Sequence, residues 1–252
     1  MLKRKRLIAM MLIFCGVTLI SASLLYCTRY IKDTKISDEG NENAASFVIH
    51  LPEYIDNTKK EMIDQSDLMD FNAMREVNKD TVGYLKFQDK ELPVVKTEDP
   101  SKYLKIGWDG KRTACGTVFM DPGTNEESKN RILYGHHMKN GRMFGTLDQY
   151  LQSDYEKEHE TFRYIDDSYV DTYKVSAVMR ISVKDMSGII DMDLADDIAK
   201  LNEKAEKNGK LYDTLHTGKT YMTLVTCEYT EKNGRLLVIG ERISHLKRPD
   251  VQ

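Results

Sequence analysis

From Val82 to Ile243 the chain is a series of short β-type runs broken by turn residues, and this texture constrains the fold more than any other feature. The runs are Val82–Phe87, Pro93–Lys96, Thr117–Met120, Arg131–Tyr134, Phe162–Ile165, Tyr169–Val183, Thr220–Thr226 and Arg235–Ile243. Asp109-Gly110, Asp121-Pro122-Gly123 and Asn233-Gly234 punctuate them, residues that supply the backbone conformations tight turns need. Strands at this spacing, with few helices between, predict a mainly β barrel or sandwich. Two helices look inserted, Met143 to Leu151 and Leu194 to Lys207, the second with Asp191 or Asp193 near its start. Upstream, Ile55, Met62, Leu68, Met69, Phe71, Met74 and Val77 recur at helical intervals between Pro52 and Val77. They predict one or two helices, with Ser66 and Asp70 as caps or breaks.

The N-terminus has a different character. Lys3-Arg4-Lys5-Arg6 precedes Leu7 to Cys27, a run without a charged residue. As a helix rising ~1.5 Å per residue it matches the ~30 Å of a bilayer's hydrocarbon core. The four bases favour a cytoplasmic N-terminus, so the sequence predicts a single-pass membrane protein with everything after Arg29 outside. A cleaved signal peptide is the competing reading, with Ser21-Ala22-Ser23 as a weak cleavage site that Leu24-Leu25-Tyr26 overruns. The expected organisation is a basic tail over 1–6, an anchor over 7–27, a polar spacer over 28–50 and a folded domain over 51–252. Within that domain, helices are expected over 52–77 and a barrel over 78–245.

Charge excludes one class of function. The chain has 37 Lys+Arg against 40 Asp+Glu, yet residues 1–30 hold five bases and no acid, so the folded part is net acidic. Phosphate neutralisation needs a basic surface, which argues against a nucleic-acid partner.

Four cysteines divide two and two. Cys15 and Cys27 lie in the apolar run. Cys115 and Cys227 lie in the β region, where a Cys115–Cys227 bridge stays open as a possibility. Cys227 ends the run Tyr221–Thr226, and Arg235 opens the next strand after a loop containing Asn233-Gly234. Paired as a hairpin, these strands hold a guanidinium beside a thiol, and cysteine catalysis needs a cation that favours the thiolate. A second segment, Arg131-Ile132-Leu133-Tyr134-Gly135-His136-His137-Met138, runs an apolar strand into two histidines. An imidazole just past a strand end is exposed, fixed and able to move protons near neutral pH. A non-enzymatic alternative uses His136, His137, Met138 and Met143 to hold a soft metal or a ligand. His50, His159, His216 and His245 are scattered without ligand spacing.

The segments Tyr221–Arg235 (T-x-T-C with Arg eight residues on) and Leu133–Phe144 (L-Y-G-H-H-M-K-N-G-R-M-F) resemble the two active-site segments of class B sortases. These are membrane-anchored cysteine transpeptidases of Gram-positive bacteria. Asn78–Leu85, Pro93–Val95, Tyr103-Leu104 and Gly116–Asp121 are similar to further pieces of that family, in the family's order. The resemblance implies a closed barrel of about eight strands, with N-terminal helices and one helix between late strands. It places the catalytic cysteine on Cys227, the arginine on Arg235 and the histidine on His136, with His137 at a variable position.

The resemblance also implies cleavage of a C-terminal sorting signal, such as an N-P-x-T type, after Thr through a thioacyl enzyme. The acceptor is an amine of a cell-wall precursor or, alternatively, of a pilin lysine. No cofactor and no metal are implied. The backbone N–H of Glu228, together with Thr226, belongs to the substrate site, and Tyr212, Leu215 and Ile189 are expected to line the signal groove. One position departs from the pattern: class B members often carry serine two residues before the cysteine, where this chain has Val225.

Overall fold

Eight strands close into a ring because the last strand of the chain pairs with one from its middle. The computed structural model describes residues 2–49, 54–56, 61–186, 189, 192, 195–228 and 233–249. The ring is built from β3 (Thr81–Phe87), β4 (Lys90–Val95), β5 (Val118–Met120), β6 (Asn130–Tyr134), β7 (Thr161–Ile165), β8 (Tyr169–Ser182), β10 (Tyr221–Glu228) and β11 (Gly234–Lys247). Its order is β11-β10-β6-β5-β4-β3-β7-β8, and the long β11–β8 pairing closes it. Closure removes the open edges a curled sheet would otherwise present. A short strand, β9 (Gly209–Leu211), adds to the outer side of β8. The fold is therefore mainly β with a closed eight-stranded barrel.

Alternation along the strands separates two apolar layers. Leu85, Phe87, Leu133, Phe162, Tyr173, Val178, Met222, Leu224, Leu236 and Val238 fill the interior. On the other face Ile132, Ala177, Met179, Tyr221, Val225, Leu237 and Ile239 pack under helix α4 (Ala195–Asn208), which contributes Ile198, Leu201 and Ala205. The late inserted helix thus falls where its apolar spacing placed it. Its expected first residue Leu194, and Asp191 and Asp193 before it, lie outside the described residues.

At one end of the interior Arg131 is almost wholly buried. Its guanidinium meets Asp166 at 3.2 Å, the Tyr173 hydroxyl at 2.7 Å and the Asp171 carboxylate. His245 and Arg242 reach the same Asp171 from β11. A buried cation survives only with such partners, because desolvation otherwise outweighs attraction.

Three expectations are corrected. Helix α1 runs unbroken from Leu2 to Ala45, so the polar stretch after Arg29 is helix and not spacer. Its later turns dock on the barrel: Thr34, Ser37 and Ala44 are buried, and Thr113 Oγ1 donates to the Asp33 carbonyl at 2.9 Å. Arg142 forks onto Asp38, with Nε and Nη2 each 2.6 Å from a carboxylate oxygen. Among the described residues no helix is long and apolar enough to cross a membrane. That overturns the anchor over Leu7–Cys27, the single-pass placement and the membrane as a partner. The helix does not end with the uncharged run but continues through charged sequence as far as Ala45.

The second correction concerns residues 52–77. Tyr54–Asp56 (β1) and Glu61–Ile63 (β2) pair antiparallel, and among the described residues of the segment Phe71–Val77 (α2) is the one α-helix of those expected, capped by Asp70, whose side chain accepts from the Ala73 N–H at 2.9 Å. Each strand is only three residues long, Tyr54-Ile55-Asp56 and Glu61-Met62-Ile63, too short to show an alternation of its own against the helical spacing of the whole segment. Ser66 sits in a 3-10 turn over Gln65–Asp67. Third, Met143 to Leu151 is not one α-helix. Met143 has φ 50°, which cannot belong to a right-handed helix; a 3-10 turn over Leu147–Leu151 and α3 (Ser153–Glu158) follow it.

Replacing Asp171 with Ala leaves Arg131 buried with its charge undercompensated. The expected loss is ~3–5 kcal/mol of folding free energy, read from the midpoint of a urea unfolding curve. A loss below ~1 kcal/mol shows the cluster to be dispensable.

Candidate active site

β10 lies between β6, to which it runs parallel, and β11, to which it runs antiparallel. The C-terminal ends of β6 and β10 therefore share a rim with the start of β11. In the hairpin Cys227 is the direct partner of Arg235. In the parallel pair Val225 is level with Tyr134, and the register continues past the strand's end. The Gly135 N–H donates to the Val225 carbonyl at 3.1 Å, and Thr226 Oγ1 donates to the Gly135 carbonyl at 2.8 Å. His136 is the next residue, level with Cys227.

Alternation supplies the second coordinate. Ile132 and Tyr134, Tyr221 and Val225, and Leu237 and Ile239 all belong to the layer beneath α4. Cys227 and Arg235 continue two of these series by steps of two within β10 and β11, and His136 follows Tyr134 by the same step just beyond the end of β6. All three are half-buried. Their apolar predecessors form the floor beneath them.

The surroundings fix each group. Arg235 Nη1 donates to the Gly234 carbonyl at 2.9 Å. The Tyr134 hydroxyl donates to Asp121 at 2.9 Å. Burial and the Asp121 charge push the Tyr134 phenol up, while the Arg235 charge opposes them, which places the guanidinium near this ring. His136 Nε2 meets the Leu104 carbonyl at 2.7 Å, and its own carbonyl accepts from the Phe144 N–H at 3.0 Å. Gly135 is required just before it, because a Cβ there would stand 2.7 Å from the Phe144 ring.

The other expected site residues separate. Thr226 is buried and spends its hydroxyl on Gly135, so it ties β10 to β6. Glu228 closes β10 opposite Gly234, one residue beyond Cys227. Ile189 and Leu215 are fully buried in the layer under α4, as floor and not as exposed lining. Tyr212 stands apart from them: it packs against the interior cluster, and its hydroxyl donates to the Tyr150 carbonyl. Asn130 was not anticipated. Its Nδ2 donates to the Ile189 carbonyl at 2.7 Å, and its Oδ1 accepts from Thr223 Oγ1 at 2.9 Å, knitting the floor together. A buried asparagine opening a strand carries no sequence signal of that role. Leu104 was also missed as a partner of His136, since its contribution is a backbone carbonyl.

Two alternatives meet the geometry. Met143 is buried in the barrel interior with Met138 packed against the same cluster, and His137, the bridge partner of Met143, has its Nε2 3.9 Å from Asp148. Among the described residues no three His, Cys, Asp or Glu side chains are placed to hold a metal ion. Cys115 lies in the interior and Cys227 on the opposite face of the barrel wall; all four cysteines are free.

Comparison with known proteins agrees with this architecture. A sortase-domain family model matches residues 86–243. The Sortase B of Listeria monocytogenes is 39% identical over 95 residues, covering 36% of this chain and 39% of that protein, well short of two thirds of its length. The Sortase B of Staphylococcus aureus is 28% identical over 181 residues, 69% of this chain and 74% of that protein. A Bacillus anthracis structure described as similar to sortase B superposes with a TM-score of 0.63 at 26% identity, covering 87% of this chain and 98% of that one. A Staphylococcus aureus sortase B–substrate complex gives 0.60 at 25% identity, over 69% and 84%. Fold and family match together define a sortase-type cysteine transpeptidase. The chain belongs to the sortase family, and its relatives place it in class B.

Thiol reactivity follows from burial. Cys115 is buried and its thiol is pushed up by desolvation, so the reactive thiolate is scarce there. A methanethiosulfonate reagent added to the native protein should modify Cys227 at least ~10-fold faster than Cys115, as read by peptide mass mapping. Equal rates would show that the rim does not expose Cys227.

Proposed function

We propose that Cys227 is the nucleophile, His136 the proton carrier and Arg235 the stabiliser of developing charge in a sortase reaction on C-terminal sorting signals. The observation that carries this reading is the strand arrangement: Cys227 pairs directly with Arg235, and His136 follows the end of β6, the parallel neighbour of the strand that carries Cys227. The Cys227 thiolate attacks the carbonyl carbon of a Thr–Gly-type peptide bond. A C–S bond forms as the C–N bond breaks, and His136 as imidazolium gives its proton to the departing amine. The thioester then receives an acceptor amine, whose proton passes to neutral His136 as the new amide forms and the thiolate leaves. The acceptor is an amine of a cell-wall precursor.

Negative charge builds on the carbonyl oxygen in both steps. Arg235 offers N–H donors to it from the strand beside Cys227, and the backbone N–H of Glu228 is the second donor. Losing one such donor costs ~10²–10³ in rate. Val225, buried at the position where class B members often carry serine, leaves this site without that hydroxyl. The signal it accepts is therefore read by other contacts.

The test uses the full chain with N-P-x-T-type peptides and hydroxylamine as acceptor. Cys227→Ala should abolish both cleavage and the thioester adduct with the melting temperature retained. His136→Asn should lower kcat at least ~10²-fold. Arg235→Lys should also cost ~10²-fold, since an ammonium cannot reproduce the guanidinium fork. Transpeptidation by Cys227→Ala would refute the assignment.

A further inference from the structure

The acid–base role of His136 leaves open which ring nitrogen exchanges the proton, and the backbone answers it. A carbonyl oxygen has no proton to give, so the 2.7 Å contact between His136 Nε2 and the Leu104 carbonyl requires the hydrogen to sit on Nε2. That holds for the neutral imidazole and for the imidazolium alike. We propose that the Leu104 carbonyl is a positioning group that locks His136 as the Nε2–H tautomer, so that Nδ1 is the atom that gives and takes the proton, and that Gly116 keeps this carbonyl in place. The proposal rests on the functional reading of His136 given above.

The carbonyl is held from several sides. Leu104 ends a 3-10 turn, Pro100–Leu104, whose first residues are capped by Asp99 accepting from the Ser101 N–H at 3.1 Å. Tyr103 is buried, and its hydroxyl bonds Asn78 at 3.0 Å and Asp80 at 2.8 Å. The Thr117 N–H donates to the Tyr103 carbonyl at 2.9 Å, and Thr117 Oγ1 to the Ile106 carbonyl at 2.8 Å. These bonds press Gly116 against the turn. Gly116 has φ 63°, and a Cβ there would collide with the Tyr103 carbonyl and stand 3.1 Å from both the carbon and the oxygen of the Leu104 carbonyl. Both contacts are with backbone, which cannot swing aside as a flexible side chain would. A side chain at 116 must therefore move the peptide unit that orients His136.

This arrangement parallels the carboxylate that fixes the imidazole tautomer in other nucleophile–histidine enzymes, with a neutral acceptor in its place. On one side the Leu104 carbonyl occupies Nε2. On the other, the register that sets His136 level with Cys227 leaves Nδ1 as the nitrogen free to meet the amine.

The experiment is 15N NMR of the His136 ring in the full chain, at a pH where the imidazole is neutral, combined with turnover of N-P-x-T-type peptides. Wild-type His136 should be the Nε2–H tautomer; an Nδ1–H ring overturns the proposal with no variant needed. Gly116→Ala should give a mixed tautomer population and a kcat lowered ~10- to 100-fold, with KM for the peptide within about twofold, since small misplacements of a reacting group cost this much. Gly110→Ala is the control, because Gly110 also has positive φ, 80°, but nothing within 4 Å of an added Cβ. It shares the backbone strain without the contact and should leave both tautomer and kcat unchanged. A Gly116→Ala protein with a wild-type tautomer overturns the role of Gly116. Full activity in His136→Asn would instead sink the functional reading, and the Nδ1 role with it, while leaving the observed tautomer intact.

Discussion

The parallel pairing of β6 with β10 is the constraint on which the site depends. Parallel neighbours finish at the same end, so the residue leaving β6 and the residue finishing β10 meet without any loop having to reach across the barrel. The hairpin to β11 then adds Arg235 at that rim as a direct strand partner of Cys227. Parallel strands need a long crossover, and here nearly the whole of β7 to β9 and α4 lies between them in sequence. The ~90 residues separating histidine from cysteine are thus the connection such a pairing demands.

Rigidity at the rim has a similar origin. Thr226, the residue before the nucleophile, is turned toward β6 and clips Gly135, the residue before the histidine. A side chain and a backbone carbonyl at positions that alternate with the reactive ones therefore tie β10 to the end of β6. Beneath them the buried Val225 and Leu237, with Tyr134 packed against them, make the floor. Farther out, α1 grips the loop that follows His136 through Asp38 and Arg142, while Ser37 and Thr113 lie against Cys115. The N-terminal helix is in this way part of the structure that presents the histidine.

Particular elements show why some of this was readable in the sequence. The eight barrel strands stood out because each is an apolar run ended by turn chemistry that acts within a few residues. α4 was readable because its apolar stripe repeats within one element. β9 was not, since Gly209-Lys210-Leu211 has no alternation of its own and is a strand only because β8 offers it an edge. The hairpin β1–β2 was mistaken for helix for the opposite reason: apolar residues from separate short elements fell by chance at helical intervals. Tyr212 was misplaced because an aromatic residue near a groove helix in sequence can point to either layer, and the barrel wall decided which. The stretch Leu7–Cys27 was read as an element of its own, whereas in the fold it is part of one helix, Leu2–Ala45, whose later turns pack on the barrel.

By itself, the sequence determined the strand inventory, the chemistry available at Cys227, His136 and Arg235, and the family to which these segments belong, because all three are written in residue types and short-range spacing. Only the tertiary structure decided that β11 closes on β8, that Cys227 pairs directly with Arg235 beside the end of β6, and that Ile189 and Leu215 are floor while Tyr212 belongs to the interior. It also decided that a backbone carbonyl, at Leu104, meets the histidine ring. Such outcomes depend on which distant segments become neighbours, and a carbonyl is present at every position of the chain; only packing selects the one that matters.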